Sequence, residues 1–140
     1  MGSPGVKMPD ITASHFKDRI VALILGGRDL PKKPVDRHIL IFSATLGLEP
    51  RRQYSEAALN EELRKWTSLF GGNFNLDHVT LRRFLVDDGY IRRDAAGGSY
   101  ALATENLPYA FDPSLAGLDL ENLVDEATLA RELRKSRFMK

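Results

Sequence analysis

Residues Asp77 to Ala103, DHVTLRRFLVDDGYIRRDAAGGSYALA, constrain this chain more than any other stretch, because they encode a capped helix followed directly by a tight hairpin. Asp77 is placed to accept from the unpaired amides of a first helical turn, and Leu81, Phe84, Leu85 and Asp88 recur at helical spacing until Gly89 ends the run. Tyr90 and Ile91 open a strand. Ala95-Ala96-Gly97-Gly98 supplies turn residues, and Ser99-Tyr100-Ala101-Leu102 alternates as a half-buried return strand does, with Tyr100 inward and Ser99 outward. A helix carrying Arg82 and Arg83 beside a hairpin carrying Arg92 and Arg93 is what a small nucleic-acid reader needs.

The rest of the chain determines how much can be packed around that unit. With 140 residues and 43% hydrophobic content, a single domain can bury a real core without staples. The absence of cysteine excludes disulfides, thiolate zinc sites and cysteine nucleophiles together. No apolar run approaches the roughly 20 residues of a membrane span, and the start lacks a secretory pattern, so the chain reads as cytoplasmic, with no membrane partner. A net charge of +1 from 20 basic and 19 acidic residues argues against indiscriminate coating of nucleic acid. Anion binding must come from local clusters such as Arg82-Arg83 and Arg92-Arg93, and Asp87, Asp88 and Asp94 lie close to both.

Residues 1–10 read as a disordered lead. A helix is expected over Ser14 to Leu25, with Phe16, Ile20, Leu23 and Ile24 on one face and Gly26-Gly27 as its stop. The prolines of Arg28 to Pro34 mark a linker. A helix apolar almost all round, hence central, follows from about Asp36 to Leu46, ending at Gly47. Gln53-Tyr54 suffices for a very short strand, and Ser55 caps a helix whose buried stripe is Leu59, Leu63, Trp66 and Phe70. Gly71-Gly72-Asn73 breaks it before the Asp77 helix. Beyond the hairpin, Asn106 to Gly117 reads as a surface strap whose Tyr109 and Phe111 dock, and Asp119 to Phe138 is helical again, with Leu120, Leu123, Val124 and Ala127 on one face. The order of helix, short strand, helix, turn, helix and hairpin is winged-helix connectivity, although Gly71 to Leu76 is longer than the tightest helix-turn-helix turn.

Tyr54-Ser55-Glu56 with Leu59-Asn60 and Leu63, then Asp77, Thr80-Leu81-Arg82-Arg83, Leu85-Val86-Asp87, Gly89, Arg93 and Tyr100 form a fairly specific set. Over roughly Leu30 to Leu102 it resembles a bacterial family known as a domain of unknown function (domain of unknown function 2087). The resemblance implies a winged-helix-like fold, found alone or joined to helix-turn-helix regulators of the arsenic-repressor type, and a role in transcriptional regulation. The terminal helices lie outside it.

With Leu81 as origin and about 100° per residue, Leu85, Phe84 and Asp88 share one side, while Arg83 points nearly opposite, flanked by Thr80 and Asp87. Arg83 is therefore the strongest candidate for nucleic-acid contact. Arg82 points sideways, where it either contacts nucleic acid or pairs with an acid such as Glu61 or Glu62. Asp87 opposes the DNA reading unless it neutralises an arginine or accepts from cytosine. His78 either faces a groove or covers the core edge, and Asn75 and Thr80 either donate to phosphate or cap the helix. Arg92 and Arg93 complete the set of nucleic-acid-binding candidates.

Nothing marks an enzyme. His15, His38 and His78 are too far apart for ligands on one helical turn, Glu61 and Glu62 face different directions, and the glycine pairs lack the setting of a phosphate loop. No metal or cofactor is expected. The resulting expectation is a mainly α chain with a small β-hairpin (α+β): a winged helix-turn-helix domain over 11–105 with an extra N-terminal helix, then a strap and C-terminal helix over 106–140. It is expected to regulate transcription by binding double-stranded DNA, as a homodimer joined through its terminal helices. A winged helix used only for protein interaction is the alternative.

Overall fold

The computed structural model describes residues 9–96, 98–103 and 105–138. Gly97, at the expected hairpin tip, residues 1–8 of the expected lead, and Met139 and Lys140 lie outside them. Among the described residues, five α-helices surround one core: α1 (Ala13–Gly26), α2 (Pro34–Ser43), α3 (Glu56–Phe70), α4 (His78–Asp87) and α5 (Leu120–Phe138). An antiparallel hairpin of β1 (Ile91–Arg93) and β2 (Tyr100–Leu102) follows α4, in the register Ile91↔Leu102, Arg92↔Ala101 and Arg93↔Tyr100. The chain is therefore mainly α with a small β-hairpin, in the order expected.

Four helices begin where a short polar side chain accepts from the first turn, α5 among them, with Asp119 taking the Asn122 amide at 3.0 Å. Thr12 takes the His15 amide at 3.1 Å, Ser55 that of Ala58 at 3.1 Å and Asp77 that of Thr80 at 2.7 Å. Each such cap contributes about 1 kcal/mol. Gly89, at φ +86°, turns the chain out of α4, a conformation that costs a side-chain-bearing residue but not glycine.

α2 departs from expectation at both ends. It starts at Pro34 rather than near Asp36, because proline at the first helical position has no amide to leave unpaired there and its φ is already helical. It stops at Ser43 rather than near Gly47. The Ser43 and Thr45 hydroxyls donate to the Leu40 and Phe42 carbonyls, and the amides of Ala44, Thr45 and Leu46 form three-residue bonds to Ile41, Phe42 and Ser43, so the chain tightens into turns. After α3 the chain likewise does not simply break: Gly71–Phe74 forms a 3₁₀ turn that ends at Asn75 in the left-handed conformation, φ 52°.

The core lies where α2 meets α1, α3 and α4. Ile39, Leu40 and Ile41 are inaccessible to solvent, as are Phe16 and Ile20 of α1, Leu63 of α3, and Leu81 and Leu85 of α4. Trp66 satisfies its indole by donating to Ser43 Oγ at 2.9 Å, so neither buried polar group is orphaned. Tyr54 exchanges two backbone hydrogen bonds with Tyr100, at 2.7 and 2.8 Å, adding a one-residue bridge on the far side of β2 from β1.

Tyr109 and Phe111 dock as expected of the strap. Phe111 stacks on Phe42 with centroids 3.7 Å apart, and Tyr109 meets the His38 ring edge-on at 5.0 Å. The strap is also held by the segment before α1: Ile11 donates to the Ala110 carbonyl and accepts from the Asp112 amide, while Asp10, placed by sequence within the lead, accepts the Ala110 amide at 2.8 Å. α5 rests its first turns on α1 through buried Leu120 and Val124, whereas Leu129 and Leu133 are each 57% exposed.

Candidate nucleic-acid interface

α4 owes its orientation to Leu81 and Leu85, which are buried to 0% exposure and turn the opposite side of the helix outward. That side meets the hairpin in a groove of about 230 Å³ lined by Val79, Arg82, Arg83, Val86, Asp87, Arg93 and Tyr100. Arg83 is exposed there, as is Arg93. Among the described residues, neither has a carboxylate within ion-pair distance.

Arg82, although adjacent to Arg83, has a different environment. Its guanidinium donates to Asn60 Oδ1 at 2.6 Å and lies 3.1 Å from Glu56 Oε1, with its side chain only 19% exposed. In place of Glu61 or Glu62, its partners are Asn60, the residue just before them, and Glu56, about one turn earlier still, because the helices cross near the start of α3. Glu56 and Asn60 are four residues apart, hence on one face, a signal visible in sequence once the crossing point is known. Arg82 and Arg93 also approach the Tyr100 ring, at 5.8 and 5.9 Å.

The aspartates divide in the same way. Asp88 turns inward, 3.1 Å from Arg37 Nη1 of α2, off the line a hydrogen bond needs, and Arg37 also lies over the Phe84 ring at 4.7 Å. Its charge is therefore removed from the groove. Asp87 stays exposed beside Arg83. Asp94 is exposed at the hairpin turn, where its amide donates to the Ser99 carbonyl.

Arg92 and Arg93 share one surface only in part. Successive strand residues point to opposite faces, and Arg93 joins the α4 groove while Arg92 does not. Both arginines border a second depression along the hairpin, with Gln53, Asp94 and Ser99, whose hydroxyl donates to Gln53 at 2.7 Å. Asn75 and His78 lie at the other end of α4, around a shallow depression with Thr67 and Gly72. Asn75 serves as the left-handed turn residue after the 3₁₀ segment, and the Thr80 amide is taken by Asp77, whose carboxylate that bond holds below its usual range.

A cluster that sequence spacing does not reveal lies behind α4. The Tyr90 hydroxyl and His38 Nδ1 share a hydrogen bond of 2.8 Å, with Tyr109, Asp88 and Arg37 around them. Burial lowers the His38 pKa against the opposing pull of Asp88, and burial raises that of the Tyr90 phenol, so both are neutral near pH 7. His38 and Tyr90 are 52 residues apart, and only the tertiary fold brings them together. Among the described residues, no group of three or more His, Asp or Glu side chains converges as metal ligands, and no helix is long and apolar enough to cross a membrane.

Residues 28–102, more than half of the chain, match the family described as "Uncharacterized protein conserved in bacteria (DUF2087)". The chain belongs to this family. The DUF2087 match begins within two residues of the expected Leu30 boundary and ends at Leu102 as expected, so it contains α2, α3, α4 and the hairpin, while α1, the strap and α5 lie outside. No curated protein and no solved structure matches the chain.

Proposed function

We propose that this DUF2087 protein is a cytoplasmic DNA-binding regulator in which α2, the Tyr54 bridge, α3, α4 and the hairpin act as a winged helix, with α4 as the recognition helix. The observation that carries this reading is the groove between α4 and the hairpin, where exposed Arg83 and Arg93 stand free of carboxylate partners while Asp88 is drawn to the opposite side by Arg37. In a duplex complex, α4 enters the major groove with Arg83 and Thr80 toward base edges and Arg93 on the adjacent phosphates. Arg92, on the other hairpin face, meets flanking backbone, and the helix start at Asn75 and His78 meets phosphate. Arg82, fixed by Glu56 and Asn60, braces α4 against α3. No catalytic role is assigned.

A dimer fits this role, since a single half-site seldom provides enough specificity. The apolar face of α1 is occupied by the body of the protein, which leaves the distal half of α5, with Leu129 and Leu133, as the pairing surface. The second reading, a protein-interaction module, draws on Asp87 and on Val79, 46% exposed, in the same groove.

The deciding experiment is binding of the full chain to a labelled mixed-sequence duplex across a salt series. The DNA reading expects log affinity to fall with log salt at about −0.9 per phosphate contacted, with a shallower slope for Arg83→Ala and Arg93→Ala. Absence of binding at low salt overturns it in favour of the interaction module.

A further inference from the structure

An apolar concavity lies away from the arginine groove, between the end of α2, β2 and the strap. It measures about 210 Å³ and is open to solvent on one side. Its walls include the rings of Phe42, Tyr90 and Phe111, with Leu102 and Leu107 beside them. An apolar cavity of roughly 150 Å³ suffices to hold a benzene ring, so this one accommodates a single ring with a short substituent.

The charge around it is one-sided. Among the described residues, Asp112 is the only lining residue ionised near neutral pH, since burial keeps the Tyr90 phenol protonated, and no basic side chain lines the cavity. The Ser114 amide, 2.9 Å from Asp112 Oδ1, together with the Ser114 hydroxyl and the Ala13 amide, holds that carboxylate below its usual range, so it carries its negative charge at neutral pH. Phe42 brings the C-terminal end of α2 to the wall, where the helix dipole is negative, with Thr45 and Leu46 of the following turns beside it. The nearby Arg52 guanidinium lies over the Tyr54 ring, at 4.7 Å.

We propose that this cavity binds a small aromatic amine in its cationic form, the ring between Phe42, Tyr90 and Phe111 and the ammonium toward Asp112. Aromatic faces and a carboxylate both attract such a cation, whereas a ligand acid would meet only negative potential. The strap that forms one wall lies outside the DUF2087 match, so the site is shared: Phe42, Tyr90 and Leu102 come from the matched segment, and Phe111 and Asp112 from the strap.

Titration of the full chain with 2-phenylethylamine, 2-phenylethanol and phenylacetate, followed by backbone amide shifts, tests the proposal. The amine is expected to saturate, with shifts centred on Leu102, Ala103 and Ala116, and to bind about fivefold tighter than the alcohol, as one partly solvated charge pair allows. Phenylacetate is expected to bind weakest. Asp112→Asn keeps an acceptor for the Ser114 amide and is expected to erase the amine's advantage over the alcohol. Ala116→Phe, at an exposed position on the rim, is expected to block all three probes while the amide spectrum remains dispersed. Equal binding of acid and amine, an Asp112→Asn protein that still prefers the amine, or no saturation by any probe overturns the proposal. So do shifts at these residues that follow protein concentration without any probe, which assign the cavity to a second copy.

Discussion

Two adjacent pairs, Arg82-Arg83 on α4 and Asp87-Asp88 at its C-terminal end, place identical side chains in opposite circumstances. Arg82 is held by Glu56 and Asn60 and Asp88 by Arg37, whereas Arg83 and Asp87 face solvent in the groove beside the hairpin. A helical step of about 100° is enough to turn one member of a doublet into an internal brace and the other into an available charge. The sequence count of like charges therefore overstates what a partner meets. Of the four, only Arg83 and Asp87 present their charge fully to a ligand, and they are of opposite sign.

The sharpest way to break this contrast is to attack the side of α4 that faces inward. Leu85→Ala should lower stability by about 2–5 kcal/mol in urea unfolding, because the residue is fully buried against the core; a loss below about 1 kcal/mol would mean that α4 is not anchored as described. Arg83→Ala should leave stability within about 0.5 kcal/mol while costing roughly 1–3 kcal/mol in duplex affinity, measured by fluorescence anisotropy. Equal losses of affinity for Arg82→Ala and Arg83→Ala would remove the distinction between brace and contact. Arg82→Ala should instead cost about 1 kcal/mol of stability, with much of it absent in a Glu56→Gln/Asn60→Ala background, since Glu56 is mostly solvated and the pair is screened.

Smaller effects sharpen the comparison. His38 has a folded pKa below its ordinary 6.5, so the unfolded chain binds more protons between the two values. Its contribution is fully present above about pH 6.5 and is lost as pH falls toward the folded pKa. His38→Gln should flatten that part of the stability-pH curve, and an unchanged curve would separate the His38–Tyr90 bond from folding energetics. Asp87→Asn should raise duplex affinity only a few-fold, with stability unchanged, as expected for removal of one exposed repulsive charge; a loss of affinity would indicate that Asp87 itself contacts a base.

Elements with strong local signals were legible before the fold was known. Ser55 and Asp77 start helices as side-chain caps, Gly89 ends α4, and the alternation through Tyr100 places that ring inside, whereas the cap of α1 at Thr12 was not legible in a helix expected from Ser14. The limits of α2 were less legible, because hydroxyl bonds at Ser43 and Thr45 compete with the helix and Pro34 serves as a start rather than a barrier. At the candidate interface, periodicity singled out Arg83. The split between Arg92 and Arg93 follows from the pleat, but which face meets α4 depends on how the hairpin docks. The His38–Tyr90 bond and the Phe42–Phe111 stack had no local signal at all.

By itself, the sequence determined the order of elements, the caps at Ser55 and Asp77 and the buried stripes of α1 and α3, since these depend on interactions within a few residues and on periodicity. Only the tertiary structure decided which charges remain available and where an apolar cavity opens. Those outcomes depend on which helix end crosses which, as Glu56 meets Arg82 and Arg37 meets Asp88, and on a strap returning across the chain to lay Phe111 on Phe42. Ion pairing and ring stacking act over a few ångströms in space, a separation that distance along the chain does not encode.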